Sequence, residues 1–498
     1  MSTNNNIFNE LEILIRSRYP LIYLTSHEEN RVISEIIDIS KKNKKNLYSW
    51  TITSGLIDEL ATEDDISDLD AFNDPLDILQ HINTIDENAI FILKDFHSYL
   101  EDFTIIRKLR DLYSSLKLTH KSIILLSPLL TLPKELSKEI TVLDIPLPGM
   151  NEFKELINDI KSNNSALIEL DKNESSTLSR AAHGLTLSEA ENVFSKAIVC
   201  QRKLTSKGLN FILNEKKQIV RKSGILEFYP TGHNINQLGG FDNLKKWLQE
   251  RGRALFSQKA KNFGLPSPKG ILLLGPPGTG KSLTAKIVSN YWKLPLLKLD
   301  FGKIFSGLVG SSEENMRMAL KTAEGLSPSV LWVDEIEKGL AGGKSGSSDG
   351  GTAARVFGSL LTWMQEKNSM VFVIATANDI SKLPPELMRK GRFDEIFFLD
   401  LPSDEEREEI FKIHLKKVGR DPSKFDIQLF SKISNEFTGA EIEQSVIDSL
   451  FKSFNMKSEL KNEYIQKSIS ECIPLSKTYN KELSALREWA KLRARKAS

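Results

Sequence analysis

Residues 271–282, ILLLGPPGTGKS, constrain the fold of this chain more than any other stretch. An apolar run predicts a buried strand, a glycine-rich turn follows it, and the next residues, SLTAKIVSNYW, have the periodicity of a helix. Glycine lets the backbone N–H groups of such a turn approach phosphate oxygens, because a Cβ would block that approach. The stretch therefore predicts an α/β domain in which a phosphate-binding loop joins a strand to a helix.

The residues of this loop have separate predicted roles. Lys281 supplies a positive charge to the β- and γ-phosphates, Ser282 offers its hydroxyl to Mg²⁺, and the start of the helix adds a partial positive charge. The alternative, a Gly- and Pro-rich surface turn, does not explain the strand and helix on either side. We expect ATP to be bound by the loop residues Gly275, Pro276, Pro277, Gly278, Thr279, Gly280, Lys281, Ser282 and Leu283.

Two carboxylates follow a second apolar run, at residues 330–333. A buried strand that ends in Asp334 and Glu335 brings both side chains to the carboxyl edge of a parallel sheet, where ligands bind in such folds. We expect Asp334 to hold Mg²⁺, directly or through water. Glu335 is the predicted general base that polarises the attacking water.

A third apolar strand, MVFVIATAND, ends with Asn378, whose amide is suited to the γ-phosphate or to the lytic water. Arg389 and Arg392 flank a Lys-Gly turn soon afterwards. Arginine carries a permanent charge in a planar fork that matches phosphate. From spacing alone, a phosphate contact and local ion pairs with Asp394 and Glu395 are equally open for these arginines.

Together these motifs resemble those of the AAA ATPase family, and the resemblance covers roughly residues 234–498. It implies a sensor role for Asn378 and an arginine-finger role, directed at a neighbouring subunit's nucleotide, for Arg389 and Arg392. It also implies a homo-oligomer, usually a ring of six, with an active site at each interface. Adenine and nucleoside contacts are implied for the backbone around Leu238, Gly239 and Gly240, and for His414, Gly439 and Ala440.

Two segments leave the mode of action open. Many family members thread polypeptide with an aromatic–hydrophobic–Gly loop, and this chain has Leu308, Val309 and Gly310 at those positions. Leucine can grip an apolar chain but lacks the flat bulk of an aromatic ring. Residues 339–356 are rich in Gly and Ser, and for them a simple linker and a second pore loop are the alternatives.

The first half of the chain carries a second, altered version of the strand–turn–helix unit. LIYLTSHEENRVISEI, residues 21–36, aligns without a gap on ILLLGPPGTGKSLTAK at an offset of 250 residues, which puts Arg31 on Lys281. Farther along, Lys94 falls on Asp334. A turn without glycine cannot wrap phosphates, and a lysine in place of the metal acid repels Mg²⁺. We therefore predict a degenerate copy, with two unrelated α/β domains as the alternative.

The predicted fold class is α/β: a P-loop NTPase with an AAA-type parallel sheet and helical lid, preceded by a degenerate AAA-like α/β module with its own lid. The C-terminal helix is predicted to pack Trp489 against the ATPase domain. The predicted boundaries are 1–149 for the degenerate module, 150–202 for its lid, 203–234 for a linker, 235–400 for the ATPase α/β domain, and 401–498 for its lid and the C-terminal helix.

Composition narrows the classes of partner. The chain has 67 basic and 66 acidic side chains, and this balance argues against an electrostatic grip on nucleic acid. Two cysteines cannot form a disulfide framework, which fits a reducing compartment. The start has no secretory-signal pattern, and no apolar run approaches the length of a membrane span. The acidic segment between residues 51 and 93 is either a solvated loop or a docking strip for a basic partner.

Three functions remain open at this point. The first is Mg-dependent ATP hydrolysis that remodels or regulates an unidentified protein partner. The others are a scaffold whose assembly depends on nucleotide, and the remodelling of nucleic acid. A metalloprotease is excluded, because no His-Glu-x-x-His motif occurs. Within the family, the chain resembles AAA proteins encoded in red-algal plastid genomes and in cyanobacteria, which implies the chloroplast stroma if it is plastid-encoded and otherwise the cytoplasm.

Overall fold

The computed structural model describes residues 3–61, 72–163, 167–229, 239–255, 258–305, 311–341, 350–389 and 391–498. The chain divides into two compact units, Met1–Ile212 and Leu213–Ser498. No helix in the described part of the chain has both the length and the apolar composition needed to cross a membrane.

The first unit is a parallel sheet covered by helices on both faces. Its strands lie in the order β3-β2-β4-β5-β1-β6, and only the β2–β3 pair is antiparallel. The elements in chain order are α1 (Thr3–Arg16), β1 (Leu21–Thr25), α2 (Glu29–Asn43), β2 (Asn46–Thr51), β3 (Gly55–Asp58), α3 (Pro75–Thr84), β4 (Ala89–Lys94), α4 (Phe103–Leu116), β5 (Ser122–Ser127), β6 (Ile140–Asp144), α5 (Met150–Asn163), α6 (Lys172–Ala182), α7 (Leu187–Gln201) and α8 (Gly208–Ser223), which crosses into the second unit. Helices α1 and α2 pack on one face of the sheet, and α3 and α4 on the other.

The second unit repeats this plan on a larger scale. Its strands lie in the order β13-β12-β8-β11-β10-β9-β7, and only the β7–β9 pair is antiparallel. The elements are β7 (Leu226–Tyr229), α9 (Asp242–Leu255), α10 (Gln258–Asn262), β8 (Gly270–Leu274), α11 (Lys281–Trp292), β9 (Leu296–Leu299), α12 (Phe301–Phe305), α13 (Ser311–Gly325), β10 (Ser329–Val333), α14 (Ile336–Ala341), α15 (Gly350–Glu366), β11 (Val371–Ala377), β12 (Glu395–Phe398), α16 (Asp404–Lys417), α17 (Ile427–Ile433), α18 (Gly439–Asn455), α19 (Asn462–Glu471), α20 (Leu475–Thr478), α21 (Asn480–Arg493) and β13 (Arg495–Lys496).

The two sheets share one strand order. The sequence β6-β1-β5-β4-β2 in the first unit matches β12-β8-β11-β10-β9 in the second, and each sheet adds an antiparallel strand beside β2 or β9. A group of helices follows each sheet, α5–α7 in one unit and α16–α19 in the other. In each lid, the helix that contacts the base begins with a capping box. This helix is α7 in the first unit, capped at Thr186, and α18 in the second unit, capped at Thr438. The predicted fold class is therefore confirmed.

The structure corrects the register of the repeat by one residue. The helices α2 and α11 end in the same way: Lys44 and Lys293 are left-handed caps, and the Ser40 and Ser289 hydroxyls donate to the next loop's carbonyl. These residues match at an offset of 249, as the ends of β1 and β8 do. Val32, not Arg31, thus falls on Lys281. A fully buried parallel strand is apolar on both faces, so the sequence does not reveal a one-residue slip.

Two segments contribute more to the second unit than the sequence indicated, one in the predicted linker and one at the C-terminal end of the chain. The stretch predicted as a linker contains α8 and β7, and its Val220 and Leu226 lie in the core of the second unit. Helix α21 contributes Leu486 and Ala490 to the same core with Trp489 packed against it, which confirms the predicted docking helix. Strand β13, which pairs with β12, was not predicted.

Helix α8 buries one lysine in this core. The Lys216 side chain is 1% exposed, and its ammonium donates to the Leu326 carbonyl at 3.4 Å, a long hydrogen bond. Burial lowers the pKa of Lys216 to about 7. Because the unfolded chain keeps an ordinary lysine pKa, it binds more protons than the folded chain between pH 7 and about 10. The buried amine therefore costs stability that is regained as the pH rises through that window.

We expect Lys216→Met to stabilise the second unit, most strongly at or below pH 7. The difference from the wild type should shrink by up to about 1.4 kcal/mol per pH unit between pH 7 and pH 10, because in this window the wild-type amine is neutral in the folded state and still protonated in the unfolded state. Urea unfolding at several pH values measures this. Lys217→Met, at an exposed neighbouring position, is the matched control. A gap between Lys216→Met and wild type that does not change with pH would contradict the assignment.

Candidate nucleotide site

A cavity of about 330 Å³ lies at the carboxyl ends of β8, β10 and β11, between the base of the second unit and its lid. It brings together most of the residues that the sequence singled out. Those lining it are Gly239, Pro277, Gly278, Thr279, Gly280, Lys281, Ser282, Leu283, Asp334, Glu335, Asn378, His414, Gly439 and Ala440. Gly275, Pro276, Arg389 and Arg392 do not line it, and Leu238 lies outside the described residues.

The loop between β8 and α11 depends on two glycines in the left-handed region. Gly278 has φ +81° and Gly280 has φ +90°, conformations that residues with a Cβ rarely adopt. A Cβ at Gly278 would also lie 2.8 Å from the Thr438 hydroxyl. The Gly278 carbonyl accepts the Ala440 N–H at 3.1 Å, so the loop contacts the lid directly.

Gly275 has a different role from the one expected. A Cβ there would lie 2.2 Å from the Leu399 carbonyl oxygen, in the neighbouring strand connection. The glycine is required by the close approach of two backbone segments, and it does not face the cavity. Its carbonyl and that of Pro276 still serve the site, because each accepts a hydrogen bond of 2.7 Å from the Lys281 ammonium.

These two hydrogen bonds hold Lys281 at the floor of the loop. Burial lowers the pKa of Lys281 to about 8, while the carboxylates of Glu337, Asp334 and Glu335 act in the opposite direction. A lysine fixed in this way is a point charge already placed where phosphate oxygens would enter.

Ser282 and Asp334 form the predicted metal pair. The Ser282 hydroxyl donates to Asp334 Oδ1 at 3.1 Å. The Thr376 hydroxyl donates to the same oxygen at 2.6 Å and accepts the Glu335 N–H at 2.9 Å. Thr376 was missed at the sequence level, although a threonine that interrupts an apolar strand two residues before Asn378 was the available signal.

Glu335 sits in a strained and crowded position. Its φ is +47°, in the left-handed region, where a non-glycine residue stores strain that is typical of functional sites. The Asn378 amide donates to Glu335 Oε1 at 3.2 Å, and Lys338 pairs with the other carboxylate oxygen. Buried Glu337 accepts the backbone N–H of Asn378 at 2.9 Å and so fixes the backbone at the end of β11. Lys338 and Glu337 were not predicted.

The opposite end of the cavity is apolar and suits a nucleobase. Gly239 lies against Ile410, and a Cβ on it would come within 2.7 Å of that side chain. His414 lies beside Glu443, with 3.5 Å between Nδ1 and the nearer carboxylate oxygen. Burial lowers the pKa of His414, which favours the neutral ring at physiological pH.

The two arginines lie away from the cavity of their own chain. Arg389 is exposed, and Arg392 donates to the Glu386 carbonyl. The Asp394 carboxylate accepts the backbone N–H groups of Lys269 and Gly270 instead of an arginine. Within the described residues neither arginine forms an ion pair. The arginine-finger role stays a prediction, and the pore-loop residues Leu308, Val309 and Gly310 lie outside the described part of the chain.

The cavity residues fit a nucleoside triphosphate with Mg²⁺. A hydroxyl and a carboxylate, from Ser282 and Asp334, are hydrogen-bonded to each other and offer the oxygen ligands that Mg²⁺ prefers. The glycine-rich turn leaves room at the N-terminus of α11 for phosphate, and a cation from Lys281 lies next to it. The groups needed for binding therefore converge on one cavity.

Comparison with known proteins agrees with this site. Residues 271–401 match the model of the ATPase family associated with various cellular activities (AAA). Residues 7–145 and 151–223 match the N-terminal and second domains of SpoVK-like AAA ATPases. The uncharacterized AAA domain-containing protein ycf46 of Pyropia yezoensis is 43% identical over 99% of this chain and 99% of its own length. The chain belongs to the AAA ATPase family.

Other relatives differ in how much of this chain they cover. The ycf46 proteins of Guillardia theta and Gracilaria tenuistipitata var. liui are 41% and 42% identical over 97% of this chain, and 94% and 97% of their own lengths. Protein SAV of Sulfolobus acidocaldarius is 33% identical over 48% of this chain and 32% of its own length. Membership of the AAA family supports nucleotide binding and an ATP-driven activity.

The first AAA-like unit fills the equivalent position with its own side chains. Glu28 pairs with Arg31 at 2.9 Å and accepts the Leu187 N–H, at the start of the lid helix α7, at 2.7 Å. Arg31 also donates to the Pro146 carbonyl. Burial of the Glu28 carboxyl raises its pKa, although the Leu187 N–H and Arg31 oppose that rise. A carboxylate and an arginine thus join base and lid where the second unit has its loop and cavity.

We expect Lys281→Ala to lower the affinity for ATP about 100-fold, because it removes the charge beneath the phosphates. Arg31→Ala, which removes a cation near the equivalent position of the first unit, is the control and should leave the affinity unchanged. Titration of the full chain with a fluorescent ATP analogue measures both. Wild-type affinity in Lys281→Ala, or a loss in Arg31→Ala, would place the nucleotide elsewhere.

Proposed function

We propose that this AAA protein hydrolyses ATP with Mg²⁺ and works as a homo-oligomer, a ring of six, that remodels or regulates a protein partner. The observation that carries the proposal is the pairing of Ser282 with Asp334 and of Glu335 with Asn378 on one cavity, above Lys281. These are the groups that phosphoryl transfer to water requires: a phosphate cradle, a metal pair, a base and an amide that orients the water.

In this mechanism the loop N–H groups and Lys281 bind the β- and γ-phosphates. Ser282 and Asp334 would hold Mg²⁺, which would supply charge neutralisation on the phosphate oxygens. Glu335 accepts the proton of the attacking water, and Asn378 fixes the orientation of that carboxylate through its 3.2 Å hydrogen bond. Lys338, an exposed partner of Glu335, must release it before it can act as a base. Surface ion pairs are worth little, so the release costs little.

The position of the arginines supports an active site that two subunits share. Neither Arg389 nor Arg392 lines the cavity of its own chain, and Arg389 is exposed with no acidic partner among the described residues. A cation that reaches a neighbour's γ-phosphate raises the rate about 10³- to 10⁵-fold in related enzymes. A lone subunit is therefore expected to turn over very slowly.

The partner and the location are further parts of the proposal. The near-neutral charge of the chain disfavours nucleic acid, which leaves a protein as the partner class. The resemblance to AAA proteins encoded in red-algal plastid genomes, together with the ycf46 relatives of Pyropia yezoensis and Guillardia theta, favours the chloroplast stroma. A nucleotide-regulated scaffold is the other outcome that the following experiment distinguishes.

We expect Glu335→Gln to bind ATP as the wild type does and to lose hydrolysis at least about 100-fold, because it removes the base and keeps the shape. ATPase assays and affinity capture in ATP, read by mass spectrometry, test this. A remodeller would retain its partner on the variant, whereas a scaffold would keep working without turnover. Glu366→Gln, at an exposed position on α15, is the control. Undiminished turnover in Glu335→Gln would overturn the assignment of the base.

We expect Arg389→Ala to keep nucleotide affinity and to lose about 10³-fold in turnover. Mixing it with Glu335→Gln protein should restore part of the activity, because a mixed interface combines an intact Glu335 with a neighbour's intact Arg389. Arg420→Ala, an exposed arginine of the lid, should behave as wild type. If mixed assemblies stay inactive, the shared site is wrong.

A further inference from the structure

The last segment of the described chain, residues 475–498, crosses from the lid to the base and back. We call this segment, which comprises α20, α21 and β13, the strap. Its first contact is with the lid, where the Leu475 N–H donates to Glu441 Oε1 at 2.6 Å. Glu441 is the capping-box residue of α18, the helix that brings Gly439 and Ala440 to the cavity. The start of the strap is thus fixed to the lid helix that faces the nucleotide site.

The middle of the strap is fixed to the base. Leu486 and Ala490 are buried in the base core. Between them, Arg487 makes a forked contact with Asp400: its Nε lies 2.9 Å and 3.0 Å from the two carboxylate oxygens, and a terminal nitrogen lies 2.8 Å from Oδ1. Asp400 lines the cavity and stands at the point where the chain leaves β12 for the lid. A bidentate, charge-assisted pair at this hinge fixes its direction.

The end of the strap joins the base sheet. Beyond the β12–β13 pairing, Ala497 is 1% exposed, donates its N–H to the Phe398 carbonyl at 3.0 Å and accepts the Leu244 N–H at 3.0 Å. The side chain of Asn243, next to Leu244, donates to the Ser498 carbonyl at 2.7 Å. These contacts bring the last residue beside the entry segment of the nucleotide site.

From there the strap returns to the lid. The Ser498 hydroxyl donates to Glu406 Oε1, on the first turn of α16. The same oxygen accepts the Phe241 N–H at 3.3 Å, and Glu409 accepts the Gly240 N–H at 3.0 Å. Phe241 and Glu406 both line the cavity. One carboxylate therefore joins the strap, the lid and the entry segment.

We infer that the strap sets the spacing between base and lid and that Arg487 and Ser498 are positioning residues for the nucleotide site. The contacts with the lid, at the two ends, are polar, and those with the base between them are largely apolar and buried. A lid that moves on the base must therefore change the contacts of Glu441, Asp400 or Glu406, while α21 stays in place. This inference rests on the proposed function, because it assumes that the cavity holds the nucleotide.

The test compares Arg487→Gln with Arg487→Lys and with Arg493→Gln in the full chain. Arg493 lies on the same helix, where its guanidinium stacks 5.6 Å from the Trp489 ring centre, so Arg493→Gln is a matched control away from the hinge. Two quantities are measured: hydrogen exchange in residues 239–244 and 399–407 without nucleotide, and the affinity for a fluorescent ATP analogue. Ser498→Ala is a second variant that leaves the helix unchanged.

In Arg487→Gln we expect faster exchange in both segments and an affinity about ten-fold lower, the effect of losing one charge-assisted contact. Arg487→Lys should recover part of both, and Ser498→Ala should raise exchange mainly in residues 239–244. If hydrogen exchange in Arg487→Gln equals that in Arg493→Gln in both segments, the proposed role of the strap is wrong. Faster exchange with unchanged affinity would overturn its positioning role. If the wild type binds no nucleotide, the proposed function fails, and the exchange data still decide whether the strap holds base and lid.

Discussion

The nucleotide site depends on a turn whose backbone N–H groups are left for a ligand. At the β8–α11 connection, Gly278 and Gly280 adopt left-handed conformations that keep the chain from entering the helix too early. In the first unit the chain from the end of β1 to the cap of α2 is as long as the chain from the end of β8 to the cap of α11. Its helix, however, begins three residues earlier, at Glu29. That extra turn satisfies within the helix the N–H groups that would otherwise face phosphate. The first unit thus has one additional helical turn at the position where the second unit has its phosphate-binding loop.

The first unit keeps a contact between base and lid although it lacks the residues of the nucleotide site. In the second unit the lid helix α18 reaches the base through the Gly278 carbonyl, and in the first unit α7 reaches it through the Glu28 carboxylate. Arg31 compensates that buried charge, which would otherwise be costly in the interior. A base–lid contact made by side chains does not respond to ATP.

The sequence was informative where chemistry demands particular residues at short spacing. The loop, the Asp334–Glu335 pair and Asn378 could be read in this way, and the parallel sheet followed from the α/β pattern. Thr376 and Lys338 act through hydrogen bonds that become visible only when neighbouring strands and turns are in place. Arg487 and Asp400 are far apart in the chain, and no periodicity links them. The register of the repeat was also hidden, because buried parallel strands are apolar on both faces.

Glu335 belongs to a site that, on the proposed function, is incomplete in an isolated chain. Its carboxylate is shared between the Asn378 amide and the Lys338 ammonium, and the hydrogen bond to Glu335 raises the pKa of Lys338. In the proposed homo-oligomer, a neighbouring subunit that brings its Arg389 to the interface would add positive charge at the γ-phosphate, where negative charge develops during transfer. On this proposal the homo-oligomer supplies the positive charge that a single chain lacks, and turnover is a property of the assembly.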